Sequence, residues 1–189
     1  MKTQLNKETA LIQNTGIRTL VQNCLASCPT CFWSMPAATT GKYHPAISLG
    51  TGGLIRHTKA VVRIAQHLMH MQDIAPGTLW HDNILAACIL HDCCKKSDNE
   101  TYTAFDHPTR AAQLITAEAT LLACSDDSLI SPSTVRTIAA CVEAHMGRWN
   151  TDPRHPNITL PTPITPLQQI VHTADYLASR KDITLADIS

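Results

Sequence analysis

ILAACILHDCCKK, residues 84–96, is the stretch that decides the fold. Ile84, Cys88 and His91 recur at helical spacing, which predicts a helix whose apolar face ends at the adjacent pair His91-Asp92. An imidazole beside a carboxylate can bind a divalent metal ion. Because neighbouring side chains on a helix point about 100° apart, the ion must lie between them. Other helices must therefore supply the remaining ligands.

The composition favours one folded domain. With 189 residues, 44% of them hydrophobic, the chain is long enough to bury one core and short for two. We expect a single domain over residues 1–189, with an N-terminal helix and loop at 1–41 and a metal-binding core at 42–180. Fifteen basic and fifteen acidic residues cancel, so phosphate binding must be local. No stretch is typical of an export leader or a membrane span, which predicts a cytoplasmic protein with no membrane partner.

Two candidate ligands lie within predicted helices. His57 shares a face with Val61 in a helix expected over residues 53–71. Asp175 falls on the apolar face of a helix that begins at Pro166, where an unpaired carboxylate would be costly. A lone inward histidine is more often a hydrogen-bonded core residue than a ligand. The nearby histidine–aspartate pair turns both side chains into candidate metal ligands.

Two more histidines lie at predicted helix boundaries. Asp106 predicts an N-cap, which places His107 at the start of the next helix, directly after the loop that leaves the histidine–aspartate pair. His145 ends an apolar stripe in a helix that begins at Ser131-Pro132. A capping or surface role for His107 is open, whereas a shared site would make both histidines ligands.

The N-terminal region carries three closely spaced cysteines. Cys24, Cys28 and Cys31 have the spacing C-x3-C-x2-C at the end of a helix predicted over residues 8–27. A zinc or iron–sulfur site at this position would need a fourth ligand or a cofactor. Small buried thiols are the favoured alternative, because free cysteine behaves as a compact hydrophobe.

The order of the candidate ligands along the chain resembles that of the HD-domain superfamily, whose extended pattern H…HD…H…H…D binds two metal ions. The motifs that carry the resemblance are GGLIRHT at 52–58, LHDCCK at 90–95, EAHMGRW at 143–149 and HTADYLASR at 172–180. The resemblance implies an all-α, HD-domain-like helical bundle with long loops. It implies that Asp92 bridges two divalent ions, drawn from Mn, Fe, Ni, Co, Mg or Zn. The implied metal ligands are His57, His91, Asp92, His107, His145 and Asp175.

The same resemblance implies a metal-dependent phosphohydrolase or phosphodiesterase that acts on a nucleotide, a cyclic nucleotide or a short oligonucleotide. Two bound ions can lower the pKa of a shared water and aim it at phosphorus. The lead-in KYHPAISLG at 42–50 is similar to that of HD exoribonucleases that degrade single strands. The expected partner is therefore a phosphorylated small molecule or a short single-stranded nucleic acid. Asp92 and Lys95 are the expected catalytic residues. The predicted substrate contacts are Lys42, His44, Lys95, Arg148 and Arg180.

Two other functions fit the same ligand pattern. Some HD-like di-iron oxygenases share the ligand order and a lysine near the histidine–aspartate pair, and ligand type alone does not separate them from hydrolases. A non-catalytic regulatory module with structural metals is the third hypothesis, and the full ligand set argues against it. The sequence leaves substrate, metal and oligomeric state open, a homo-oligomer included.

Overall fold

The computed structural model describes residues 3–38, 41–126, 129–183 and 185. The fold of these residues belongs to the all-α class, as predicted. Three 3-10 turns lie at Thr30–Trp33, Ala46–Ser48 and Gly147–Trp149. The β pairing among the described residues is one isolated bridge between Thr151 and Thr159. The helices are α1 (Asn6–Ala10), α2 (Thr15–Ser27), α3 (Gly53–Met71), α4 (Leu79–Leu90), α5 (His107–Ser125), α6 (Pro132–Glu143) and α7 (Pro166–Ala178).

Helix α4 is the centre of the bundle. Its residues 81–90 are buried all around the helix, and it packs against α1, α2, α3, α6 and α7. A helix that is apolar on every side must be covered on every side, so the other helices surround it. The C-terminal end of α4, where His91 and Asp92 follow, is therefore the point at which several helices converge. No helix in the described part of the chain is long and apolar enough to cross a membrane.

Polar side chains fix where the helices start. The Thr78 hydroxyl accepts the His81 backbone N–H at the start of α4, and Ser131 does the same for Thr134 at α6. At α7, Thr165 forms a reciprocal capping box with Gln168. Asp106 occupies the predicted N-cap position of α5 but makes no capping hydrogen bond. Its carboxylate lies 3.0 Å from Arg110 Nε instead.

The single N-terminal helix predicted over residues 8–27 is wrong. The chain breaks between α1 and α2, where the Asn14 side chain accepts the Ile17 backbone N–H and caps α2. Asp82 of α4 holds this break in place. Its fully buried Oδ2 accepts the backbone N–H groups of Gln13 (3.0 Å) and Asn14 (2.6 Å). Tertiary hydrogen bonds have overridden a continuous helical pattern.

The long loop between α2 and α3 is folded onto the start of α3. The Arg56 guanidinium donates to the backbone carbonyls of Ile47, Leu49 and Thr51. A Cβ atom added at Gly53 would overlap the Ser48 carbonyl oxygen, so this close approach requires glycine. The loop residues just before this contact are thereby held beside α3.

We expect Asp82→Ala to lower the free energy of unfolding by about 3 kcal/mol, because two buried backbone N–H groups lose their acceptor. Asp98→Ala is the matched control, since Asp98 accepts the N–H groups of Thr30 and Cys31 at an exposed position where water can replace it. Urea unfolding of both variants gives the comparison. Equal losses of stability would contradict the proposed role of Asp82.

Candidate metal centre

The six predicted ligands come together at the end of α4 and form two groups. Within each group the ligand atoms lie within 4.8 Å of one another. The first group consists of His57 on α3, His91 directly after α4, and Asp175 on α7. The second group consists of Asp92 directly after His91, His107 at the first position of α5, and His145 two residues beyond α6. The histidine–aspartate pair thus contributes one ligand to each group.

The two groups meet at the Asp92 carboxylate. In the first group, Asp175 Oδ1 lies 3.0 Å from His57 Nε2 and 3.7 Å from His91 Nε2. In the second, Asp92 Oδ1 lies 3.0 Å from His107 Nε2 and 3.8 Å from His145 Nε2. The other oxygen, Asp92 Oδ2, lies 3.4 Å from His91 Nε2. The two oxygens of Asp92 therefore face different groups.

Three imidazoles are held in one orientation by backbone carbonyls. The Nδ1 atoms of His91, His107 and His145 lie 2.7–2.8 Å from the carbonyl oxygens of Cys88, Ala104 and Val142, each three residues earlier. A carbonyl can only accept, so each Nδ1 carries the proton and donates it. In the neutral form of each ring, Nε2 carries a lone pair that faces the site, and this is the form that binds metal.

The polar atoms at the centre fit a bound cation. His91 Nε2 and Asp92 Oδ1 are buried and have no well-oriented hydrogen-bond partner among the described residues. His107 Nε2 and His145 Nε2 lie 3.3 Å apart, although both Nδ1 atoms already carry the donated protons. Two facing lone pairs repel unless a positive charge lies close to both. Imidazole nitrogens and carboxylate oxygens suit divalent Mn, Fe, Co, Ni and Zn.

The charge states follow from burial and from the neighbouring groups. Burial, together with the neighbouring His91, lowers the pKa of His145 to about 3, so this ring is neutral at pH 7. Burial alone would raise the pKa of Asp92, but Lys95 and His91 hold it well below its usual range. Burial alone would likewise raise the pKa of Asp175, but His57 and His91 lower it. Both carboxylates are ionised.

A pocket of about 540 Å³ opens onto the two groups. Lys95 Nζ lies 2.6 Å from Asp92 Oδ2, inside the pocket. Arg148, Arg180 and His44 also line it. The His44 ring lies 5.6 Å from the His57 ring, and burial followed by His57 lowers the pKa of His44 to about 4. Lys42, the fifth predicted substrate contact, is exposed and lies over the Tyr43 ring instead of lining the pocket.

Seven pocket residues were not among the predicted site residues, and four of them carry rings, namely Tyr43, Trp149, His172 and Tyr176. His172 donates its Nδ1 proton to the His145 carbonyl (2.7 Å), so it supports a candidate ligand from behind. Gly147 approaches the His172 ring in a left-handed conformation (φ 59°). The spacing of three between His172 and Asp175 was a usable signal, because it places both on one side of α7. Nothing local marked the three aromatic residues.

A family model described as the HD domain matches residues 54–180, which is more than half of the chain. The chain belongs to the HD domain family. The resemblance stated from the motifs is thereby confirmed, and with it the all-α fold. No curated protein and no solved structure matches the chain.

The N-terminal cysteines lie outside the matched segment. Cys24 and Cys28 are buried in the core, and burial raises the pKa of the Cys24 thiol. Cys31 is partly exposed, with its sulfur 3.5 Å from the Lys96 carbonyl oxygen. The two candidate metal-binding groups in residues 3–38, 41–126, 129–183 and 185 contain no cysteine. These contacts favour buried thiols over a metal site.

We expect His107→Ala and His145→Ala each to bind one metal equivalent fewer than the wild type, because each removes one of three ligands from the same group. His67→Ala is the control, since His67 is exposed on α3. Inductively coupled plasma mass spectrometry after loading with Mn²⁺ and desalting gives the stoichiometry. Two full equivalents in both ligand variants would contradict the two-group arrangement.

We expect Gly147→Ala to be more destabilising than Gly50→Ala, by about 1–3 kcal/mol. Both glycines have positive φ (59° and 66°), so both substitutions carry the same backbone strain. A methyl group at Gly147 would overlap the His172 ring, whereas one at Gly50 would meet open space. Urea unfolding measures both variants, and equal losses would show that the His172 contact is unimportant.

Proposed function

We propose that this chain is a metal-dependent phosphohydrolase that hydrolyses a phosphoester of a nucleotide, a cyclic nucleotide or a short oligonucleotide. The observation that carries the proposal is the pairing of two three-ligand groups with a pocket bordered by Lys95, Arg148 and Arg180. Cations around a pocket of this kind match the charge of a phosphate. Membership of the HD domain family supports the proposal, because that family consists mostly of metal-dependent hydrolases.

The donor set offers one three-ligand group to each of two divalent ions. His57, His91 and Asp175 would hold one, and Asp92, His107 and His145 would hold the other. When bound, the ions supply a water of lowered pKa and stabilise the charge that develops on the phosphoryl oxygens. Asp92 faces both groups through its two oxygens, so it is the residue best placed to join them.

The protein's own residues bind and orient the phosphoester. Lys95 neutralises part of the Asp92 charge and presents its ammonium group to the pocket. There the ammonium group can donate a hydrogen bond to a phosphoryl oxygen. Arg148 and Arg180 lie farther along the pocket wall and can bind further phosphate oxygens. The carbonyl-anchored histidines keep their Nε2 atoms fixed, so little reorganisation is needed when the site is filled.

We expect the Mn²⁺-loaded protein to hydrolyse members of a panel of nucleotides, cyclic nucleotides and short oligonucleotides, with products detected by mass spectrometry. His91→Ala/Asp92→Ala should lose at least about 10³-fold of this activity, since each group loses a ligand. Lys95→Met should lose about 10²-fold in kcat while keeping its metal content, because it removes one charge contact. His67→Ala is the control with unchanged activity.

If the wild type forms no product from any substrate of the panel, the proposal is overturned. Oxygen consumption by the Fe²⁺-loaded protein under the same conditions would then favour the di-iron oxygenase, which stays a prediction. A metal-dependent rise in melting temperature without turnover in either assay would favour the regulatory module.

A further inference from the structure

One wall of the pocket is a column of stacked aromatic rings and cations. The Trp149 and Tyr176 rings stack with centroids 5.4 Å apart and an interplanar angle of 19°. The Arg180 guanidinium lies 4.6 Å from the Tyr176 ring and 5.3 Å from the Tyr43 ring. Arg148 lies 4.5 Å from the Trp149 ring on the other end. Rings and positive charges therefore alternate along a surface that borders the candidate metal centre.

Trp149 is also the border of a second pocket. This second pocket has a volume of about 460 Å³ and shares Thr103, His107, Met146 and Trp149 with the first. Its far side carries the Phe105 and His155 rings, which are parallel within 2° at a centroid distance of 5.9 Å. A continuous surface thus runs from the first pocket, past His107, into the second.

This surface has the properties of a binding site for stacked bases joined by phosphates. The Trp149 side chain is 42% exposed, although a free indole ring would ordinarily be covered. Each pocket contains a flat aromatic surface and at least one arginine. In the second pocket this is Arg154, which is paired with Asp152 on the same wall. Aromatic rings stack on any base, and arginines bind the phosphates between bases. Each pocket is large enough for about one nucleoside unit.

We propose that the substrate is a single-stranded nucleic acid of at least two nucleotides, with Trp149 as the residue that separates two base-binding subsites. This inference rests on the proposed phosphohydrolase function. One base stacks at the exposed Trp149 end of the column in the first pocket, where the Arg148 guanidinium lies over the ring and can itself stack on a base. The next base stacks on the Phe105–His155 surface of the second pocket. The phosphodiester that joins them then passes His107, a candidate ligand that lines both pockets, which places the scissile bond at the metal centre.

Steady-state kinetics on a length series tests this arrangement. The substrates are a cyclic mononucleotide, a dinucleotide and a trinucleotide, each as ribose and deoxyribose forms, with Mn²⁺. We expect the dinucleotide to have a kcat/KM at least about 10-fold above that of the cyclic mononucleotide, because it fills both subsites. Ribose and deoxyribose forms distinguish an RNA from a DNA substrate.

Four variants locate the subsites. Trp149→Ala should raise KM for the dinucleotide at least about 10-fold, whereas Trp149→Phe, which keeps a ring for stacking, should restore most of the loss. His155→Ala should raise KM for the dinucleotide more than for the cyclic mononucleotide. Trp80→Ala removes a similarly exposed tryptophan (51%) at the start of α4, and it should match the wild type.

The outcomes separate the two proposals. Bis(p-nitrophenyl) phosphate is hydrolysed by the wild type and spared by His91→Ala if the phosphohydrolase proposal holds. If that ester is hydrolysed but the dinucleotide has no advantage, or if Trp149→Ala equals Trp80→Ala on the dinucleotide, the two-subsite inference alone is overturned. If the wild type hydrolyses neither the ester nor any nucleotide, both proposals are overturned.

Discussion

The need to neutralise two carboxylates in the protein interior organises this structure. Asp92 is buried and Asp175 is largely covered, and an ionised carboxylate removed from water is costly unless positive charge or hydrogen-bond donors surround it. The Lys95 ammonium meets part of this requirement at Asp92, and a bound cation would meet the rest. The four imidazoles that would hold such a cation come from different parts of the chain: α3, the ends of α4 and α6, and the start of α5. Helices can bring groups so distant in sequence to one point only if they pack around a common element. Helix α4, which is buried on all sides over residues 81–90, is that element, so one helix organises both the core and the charged centre.

The positions of the histidines at helix ends have a further physical reason. The last turn of a helix leaves backbone carbonyls without intrahelical partners. His91 and His145 follow α4 and α6, and each donates its Nδ1 proton to a carbonyl in the last turn of the helix that it follows. The same hydrogen bond satisfies the helix end and turns the Nε2 lone pair toward the centre. Helix termination and ligand orientation are thus one interaction, which explains why the rings keep their orientation in a crowded charged site.

Sequence periodicity predicted the helices better than it predicted their interruptions. The starts at Pro132 and Pro166 carry local capping signals, and those helices begin as expected. The break before Thr15 depends on Asp82, whose partners lie more than 65 residues away, so no local pattern could reveal it. The six candidate ligands could be collected from spacing and family resemblance, and the structure brings all six together, although their binding of metal stays a prediction. The division of His91 and Asp92 between two groups was beyond sequence reasoning, because it depends on which helix faces which side of the pair.

The candidate metal ligands and part of the proposed substrate surface lie on different kinds of element in this fold. The segment matched to the HD domain family contains all six candidate ligands, and these lie on or beside helices that the core holds rigidly. The aromatic wall draws on the loop at Tyr43, which precedes the matched segment, on the turn at Trp149, and on Tyr176 of α7, which follows the candidate ligand Asp175. Loops tolerate substitution because few core contacts depend on them. A change in the loop at Tyr43 or the turn at Trp149 can therefore alter the pocket wall while leaving the positions of the candidate ligands intact. Here the Arg56 hydrogen bonds hold the Tyr43 loop onto α3, so the wall is positioned by the same helix that supplies His57. The shape of the pocket wall can vary in such a fold, but its position relative to the candidate metal ligands is fixed.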